Sequence, residues 1–371
     1  MIKKITAVLA AASIILTLSA CRDDYTKEGG AITTADVEQL KLSMETTIVQ
    51  DELFDNGAAT TTTSETTEAT TATIDLVLDR EGTLTGVPAN VNRIASGSER
   101  ITQLLVDLGL GGKIVAADKD SASVNGVSPT VCTLSKKLIT ASALEEYAPD
   151  VVIISGTSSD AMYNSLRNAG VNVICIPEPT SIEGIKLDIL FLSEYLSVKD
   201  KGQQLVDEID SVIVEVSTRA ASITAKRKVY FESQPAPDMK AYADNTIAGE
   251  ILSIAGGINM FAGQNGEVTA ASENVVTANP NVILTTVSTD GYNLSEINTR
   301  AGWENIKAVK NNAVRQVSEI STTASITDSI YEIAKAVYPE IFRDEPAAET
   351  TAASEAAPVV QPSSSQASPA V

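Results

Sequence analysis

At 371 residues the chain exceeds the ~250 to 300 at which one hydrophobic core stops growing, so two packing units are expected. Its 48 acidic and 27 basic residues leave a net charge of −21, which argues against nucleic acid as a partner and against an electrostatic hold on anionic lipid. It contains no histidine, which removes the commonest transition-metal ligand, the usual general base and any Ser-His-Asp arrangement.

The chain begins with a basic "MIKK", an apolar "ITAVLAAASIILT" and a small-residue "LSAC" ending at Cys21. The apolar run is shorter than the ~20 residues a membrane span needs, and "RDD" follows it without a stop-transfer pattern. Leu-Ser-Ala-Cys resembles the bacterial lipobox, which implies export and acylation of Cys21. Residues 35–54 carry Val37, Leu40, Met44 and Ile48 as a weak amphipathic helix, to which no function is assigned. The stretch "AATTTTSETTEATTAT" at 58–73 and the tail "EPAAETTAASEAAPVVQPSSSQASPAV" lack the apolar surface to offset ordering entropy, so both read as solvated and flexible.

Between them strands and helices alternate. "RIASG" (93–97), "IVAAD" (114–118), "DVVIIS" (150–155) and "VNVICIP" (171–177) read as strands. "SERITQLLVDLGL" (98–110) reads as a helix with Ile101, Leu104, Leu105 and Leu108 on one face, and "GLGGK" marks its end rather than a nucleotide loop. No GxSxG, P-loop or GxGxxG pattern occurs. From Lys199 to about Thr224, Leu205, Ile209, Val212, Val216, Ala220 and Ile223 predict one long helix. "KVYFES" (228–233), "NVILTT" (281–286) and "AVRQVS" (313–318) then repeat the strand pattern, with helices near 246–255, 302–309 and 325–338. The helix-turn-strand "ALEEYAPDVVIIS" returns as "NVVTANPNVILTT", with Pro149 answering to Pro280 at an offset of 131 residues. Strands alternating with helices imply a parallel sheet covered on both faces, here in two similar lobes. The expected organisation is a signal segment at 1–21, a spacer at 22–74, an N-terminal α/β lobe at 75–198, a bridging helix at 199–226, a C-terminal α/β lobe at 227–343 and a tail at 344–371. Two lobes joined by one helix predict a cleft of limited closure.

Ligands of open parallel sheets sit outside the carboxyl ends of the strands. On the first lobe this selects Ser96, Ser98, Arg100, Asp118, Lys119, Gly156 and Thr157, and on the second Gln234, Tyr242 and Thr322. Arg100 begins a helix, where it reads equally as a contact for an anionic ligand or as a solvated first-turn residue. Trp303, the only tryptophan, reads first as packing a helix onto its sheet and second as a stacking surface. Cys132 and Cys175 carry no spacing motif, which leaves both a disulfide and two separate thiols open.

The stretches "DLVLDREGTLTGVPANVNRIASGSERITQLLVDLGLGGKIVAAD", "EYAPDVVIIS", "LRNAGVNVICIPEPTSIEGI", "ILSIAGGINMFA", "NPNVILTT" and "RAGWENIKAVKNNAVRQV", in this order, resemble the substrate-binding proteins of ABC importers for iron-siderophore complexes, haem and cobalamin. The resemblance covers nearly all of 75–343. It implies two Rossmann-like α/β lobes on a single bridging helix, binding and delivery without catalysis, and no resident cofactor. The implied partners are a permease with its ATPase, a small-molecule chelate, and the membrane through the lipid anchor, with the protein acting as a monomer. Permease docking would fall on a carboxylate seven residues before each proline of the doubled stretch. That is Glu273 in the second lobe, but Ser142 in the first, where Glu145 and Glu146 are the nearest acids. Aromatic residues make up only 4% of the chain. The positions where cobalamin binders place rings read "DKDS" and "SGTS", leaving Tyr163, Tyr242 and Tyr292 as stacking candidates. Met239 and Tyr242 are the conceivable haem ligands. A ferric siderophore is therefore the first expectation, with cobalamin and haem behind it. A surface hydrolase would need a base other than histidine, and an adhesin would not need a duplicated cleft.

Overall fold

The computed structural model of the chain describes residues 75–343, apart from residue 89 and segments 136–138, 157–160 and 288–293. Cys21, expected to be the lipobox cysteine, the expected spacer with its 35–54 segment, the expected tail, Thr157 and Tyr292 lie outside the described residues. Among the described residues no helix is long and apolar enough to cross a membrane.

An antiparallel hairpin opens the body, β1 (Asp75–Leu78) against β2 (Leu84–Val87). Asp79 closes its turn by accepting the N–H groups of Glu81 and Thr83. The first lobe then builds a parallel sheet from β3 (Ile94–Ser96), β4 (Ile114–Asp118), β5 (Cys132–Leu134), β6 (Val151–Ser155) and β7 (Val173–Ile176), in the order β5-β4-β3-β6-β7. Its strands are short and apolar because both faces are covered. Ile94, Ile153 and Ile174 face α1 (Glu99–Asp107) and α4 (Ile182–Tyr195), while Ala95, Val152 and Ile154 face α2 (Ala141–Leu144) and α3 (Ala161–Asn168). The four apolar residues expected on one face of the first helix, Ile101, Leu104, Leu105 and Leu108, are all buried there.

α5 (Lys199–Ala220) runs from the first lobe to the second, 22 residues and therefore about 33 Å long. It stops short of the expected end near 224–226. The N–H groups of Ser222 and Ile223 turn back onto Arg219 and Ala220, and the chain there is solvated. Gly202 lets it lie close to α4: a Cβ at this position would fall 2.3 Å from the Ser193 Cβ.

The second lobe departs from an all-parallel sheet. β8 (Lys228–Gln234), β12 (Val282–Thr285) and β13 (Val314–Gln316) are parallel, and β10 (Ile258–Asn259) pairs parallel with β8. β9 (Lys240–Tyr242) and β11 (Glu267–Thr269) are antiparallel to their neighbours. The loop from Gln234 to Lys240 is too short for a crossover, which needs ~10 to 12 residues, so the chain folds straight back. α6 (Ile247–Ile254) and α10 (Ile326–Val337) cover one face together with α5. α7 (Ser272–Ala278), α8 (Leu294–Asn298), α9 (Lys307–Lys310) and Trp303 cover the other. Trp303 is fully buried, edge-on to Tyr230 with centroids 5.8 Å apart, and donates to Ser272 Oγ at 2.7 Å, so it packs and does not stack on a ligand.

The doubled stretch is one device used twice. Ala148 and Asn279, each before its proline, both take a left-handed conformation (φ 37° and 50°). The next residues tie each new strand to the first strand of its own lobe. Asp150 donates its N–H to Arg93 O and accepts from Arg93 N–H, and Asn281 does the same with Lys228. The side chains of Arg93 and Lys228 then reach the carbonyl oxygens that end the preceding helix, at Tyr147 and Ala148 in one lobe and Ala278 in the other.

Candidate functional site

The strand order of the first lobe places its switch point between β3 and β6, so the crevice lies outside the carboxyl ends of those strands. Ser98 starts α1 there, its Oγ accepting from Ile101 N–H at 3.3 Å. Beneath it is a buried polar network. Thr102 Oγ1 lies 2.7 Å from both Ser96 Oγ and Ser121 Oγ, and Ser121 in turn donates to Asp118. Ser96, Ser98 and Asp118, expected to line the cleft, are therefore buried, Ser96 and Asp118 at the ends of their strands and Ser98 at the start of α1. The second Asp118 oxygen is buried without a hydrogen-bond partner among the described residues. Lys119 is exposed, and Gly156, half-buried, adopts φ +142°.

Arg100 is neither solvated nor open to a ligand on all sides. Its side chain is 8% exposed and pairs with Asp188, itself 1% exposed, on α4. It also donates from Nε to Thr322 O at 3.2 Å and from Nη1 to Pro177 O at 3.4 Å. The contact with Thr322 crosses from the first lobe to the second, so strand-end loops of both sheets meet at this point. Arg80, in the hairpin turn, shares the same carboxylate at 2.7 Å. Two guanidiniums on one buried carboxylate leave a positive surplus, offset among the described residues by Glu178, whose exposed carboxylate lies 4.0 Å from Arg100 Nε.

On the second lobe Gln234 and Thr322 are half-buried. Tyr242 sets its ring 5.1 Å from that of Phe231 and its hydroxyl 3.3 Å from Thr286 Oγ1, and burial pushes that hydroxyl's pKa up. Met239 is buried, its sulfur accepting from Arg300 at 3.0 Å, and Arg300 in turn holds the buried Glu232. Tyr163 is buried in the first lobe, with its hydroxyl 3.3 Å from Asp79. Of the tyrosines expected to stack, Tyr163 is buried and Tyr242 is half-buried against Phe231. No disulfide joins Cys132 and Cys175. Among the described residues no cluster of His, Cys, Asp or Glu side chains is placed to hold a metal ion.

A second seam between the lobes lies at the start of α4, where Ile182 N–H donates to Glu250 on α6 at 2.8 Å. Asp107, near the end of α1, lies against Thr323 and Ala324 of the second lobe, and burial pushes its carboxyl above the usual range. Glu273 is exposed in the first turn of α7, and Glu145 and Glu146 are exposed at the end of α2. The sequence reading missed Arg80, Asp188, Glu178 and Glu250. One signal was available: Asp188 falls on the apolar face of its helix with Ile185, Ile189 and Leu192, an acid where only a paired one is stable.

Residues 94–320 match the Periplasmic binding protein family. Among curated proteins the chain is 26% identical over 286 residues to an uncharacterized ABC transporter substrate-binding lipoprotein, YvrC, of Bacillus subtilis strain 168, covering 75% of this chain and 89% of that one. It is 25% identical over 187 residues to the high-affinity heme uptake system protein IsdE of Staphylococcus aureus strain MRSA252, covering 48% of this chain and 63% of that one. Among solved structures it shares its fold with a possible iron-binding periplasmic solute-binding protein of Staphylococcus epidermidis. The TM-score is 0.60 at 21% identity, over 67% of this chain and 99% of the other. Two α/β lobes on one helix, with strand-end loops meeting between them, agree with what these comparisons found: the chain belongs to the periplasmic binding protein family.

Proposed function

We propose that the protein is the substrate-binding component of an ABC importer, that it captures a metal chelate of the ferric-siderophore type, and that it delivers the chelate to a permease and its ATPase. The observation that carries this reading is the positive surplus at the meeting point of the lobes. Arg80 and Arg100 share one buried carboxylate, and among the described residues the exposed Glu178 is the further counter-charge. An anionic chelate can take the place of Glu178, whose exposed carboxylate is only distantly paired with Arg100, although it also accepts a hydrogen bond from Ser155. Haem is the second reading, favoured by the likeness to IsdE. Against it, the chain has no histidine and Met239 is tied to Arg300.

The test is a thermal-shift and native-mass panel of ferric siderophores, cobalamin, cobinamide and haem on the purified protein. Stabilisation by a ferric siderophore, with none by the tetrapyrroles, is expected. Retention of haem or cobalamin with no response to any ferric chelate would overturn the ligand assignment. The lipid anchor at Cys21 belongs to the same proposal: Cys21→Ala is expected to release the protein from membranes and leave ligand affinity unchanged. A variant that stayed bound through carbonate washing would remove the anchor from it.

A further inference from the structure

A cavity of about 630 Å³ lies where both lobes meet the middle of the bridging helix. The size falls within the ~300 to 1,000 Å³ range of small-molecule sites. Most of its lining lies away from the strand-end loops, although Asp244 follows β9 two residues after Tyr242 and Asn259 donates to Tyr242 O at 3.0 Å. Ile182 comes from the first lobe, Ile213 from α5, and Ile254 and Ile258 from the second lobe, and together they form an apolar wall. Ile258 is 43% exposed, so part of the wall faces solvent.

The polar lining is acidic. Glu183, Asp244 and Glu250 face one cation, Lys186, and that cation is already held between Glu183 at 2.9 Å and Asp210 at 2.8 Å. The positive end of α4, which would otherwise attract an anion, is already answered by Glu250 at Ile182 N–H. Asp244 accepts from Gly263 N–H at 2.8 Å. A carboxylate has about four lone-pair sites, so Asp244 and Glu250 retain acceptor capacity after these bonds. An apolar wall beside unneutralised acceptors suits a molecule with an alkyl part and a positive head.

We propose that this cavity is a second ligand site, taking a small amphiphilic organic cation. The ammonium head lies on Asp244 and Glu250, and the alkyl part lies against Ile213, Ile254 and Ile258. The occupant touches both lobes and the helix between them, so it binds the orientation of the lobes as well as their surfaces.

Titration calorimetry on the full chain with hexylammonium chloride tests the site, with hexanoate and tetramethylammonium chloride as controls. One-site binding of hexylammonium, with no heat from hexanoate and weaker binding of tetramethylammonium, is expected. Asp244→Asn combined with Glu250→Gln is expected to weaken hexylammonium roughly ten- to a hundredfold, the range for hydrogen bonds to charged groups. Ile213→Trp fills the apolar wall without changing charge and is expected to weaken it as well. It decides the question if the double variant fails to fold by circular dichroism. Absence of binding, equal binding of hexanoate, or unchanged affinity in Ile213→Trp, which would indicate a diffuse attraction to an acidic surface, would each overturn the proposal.

Discussion

Replacing Asp188 with Asn keeps the shape of the side chain and removes the charge that two guanidiniums share. Breaking a buried ion pair by neutralising one partner costs about 3 to 5 kcal/mol, because the remaining charge is left uncompensated. Two features of the structure pull the value toward the lower end. The Arg80 side chain is 25% exposed and can rehydrate, and Arg100 keeps the carbonyls of Thr322 and Pro177. One guanidinium is then stranded, for a loss of ~3 kcal/mol. At ~2 to 4 °C per kcal/mol for bodies of this size class, the melting temperature should fall by roughly 6 to 12 °C. Urea unfolding followed by the fluorescence of Trp303 measures the free-energy loss, and thermal unfolding followed by far-ultraviolet circular dichroism measures the melting temperature. A triple replacement, Asp188→Leu with Arg80→Met and Arg100→Met, should recover most of the loss, since apolar packing can substitute for a buried pair. An Asp188→Asn protein within ~0.5 kcal/mol of the parent would refute the argument, because differences of that size are ordinary for surface substitutions.

Gly202→Ala should destabilise by about 1 to 3 kcal/mol although alanine favours helix, because the new Cβ overlaps Ser193; greater urea resistance would sink this account. Asp107 has a raised carboxyl pKa, so its penalty is absent below the ordinary value of 3.8, grows as pH rises through the folded value, and is constant above it. The stability gap in favour of Asp107→Asn should therefore open across that window, and parallel pH curves for parent and variant would contradict it. Glu273→Lys should reduce uptake by cells while leaving ligand affinity of the purified protein intact, since a like charge in a docking interface costs several kcal/mol. Normal uptake would mean that docking uses another surface.

Periodic features were legible because they are local. The apolar face of α1, the bridging helix and the doubled turn at Pro149 and Pro280 each follow from residues within two or three turns of one another. The role of Arg100 was not legible, because its partners stand 88 residues away at Asp188 and 222 residues away at Thr322. Burial reversed the reading of Ser96, Ser98 and Asp118 in the same way. Strand-end position selected them, while the hydroxyl network that draws them inward involves Thr102 and Ser121, which no motif marks. The antiparallel strands of the second lobe were readable in principle, from the short gap between Gln234 and Lys240.

One apolar cluster runs without a break from Ile94 and Ile153 through Leu205, Ile209 and Val216 of the bridging helix to Val229, Phe231 and Ile330. By the criterion of sheets the protein has two lobes, but the shared core predicts that it unfolds as one cooperative unit. A chain cut between α4 and α5 would leave Leu192 and Leu196 on one fragment and Leu205 and Ile209 on the other without the surfaces that bury them. Melting of one lobe should therefore strip the helix that stabilises the other, so a single unfolding transition is expected. Anything that binds the native body, wherever it binds, raises the unfolding free energy of both lobes together, by the amount set by its concentration and affinity.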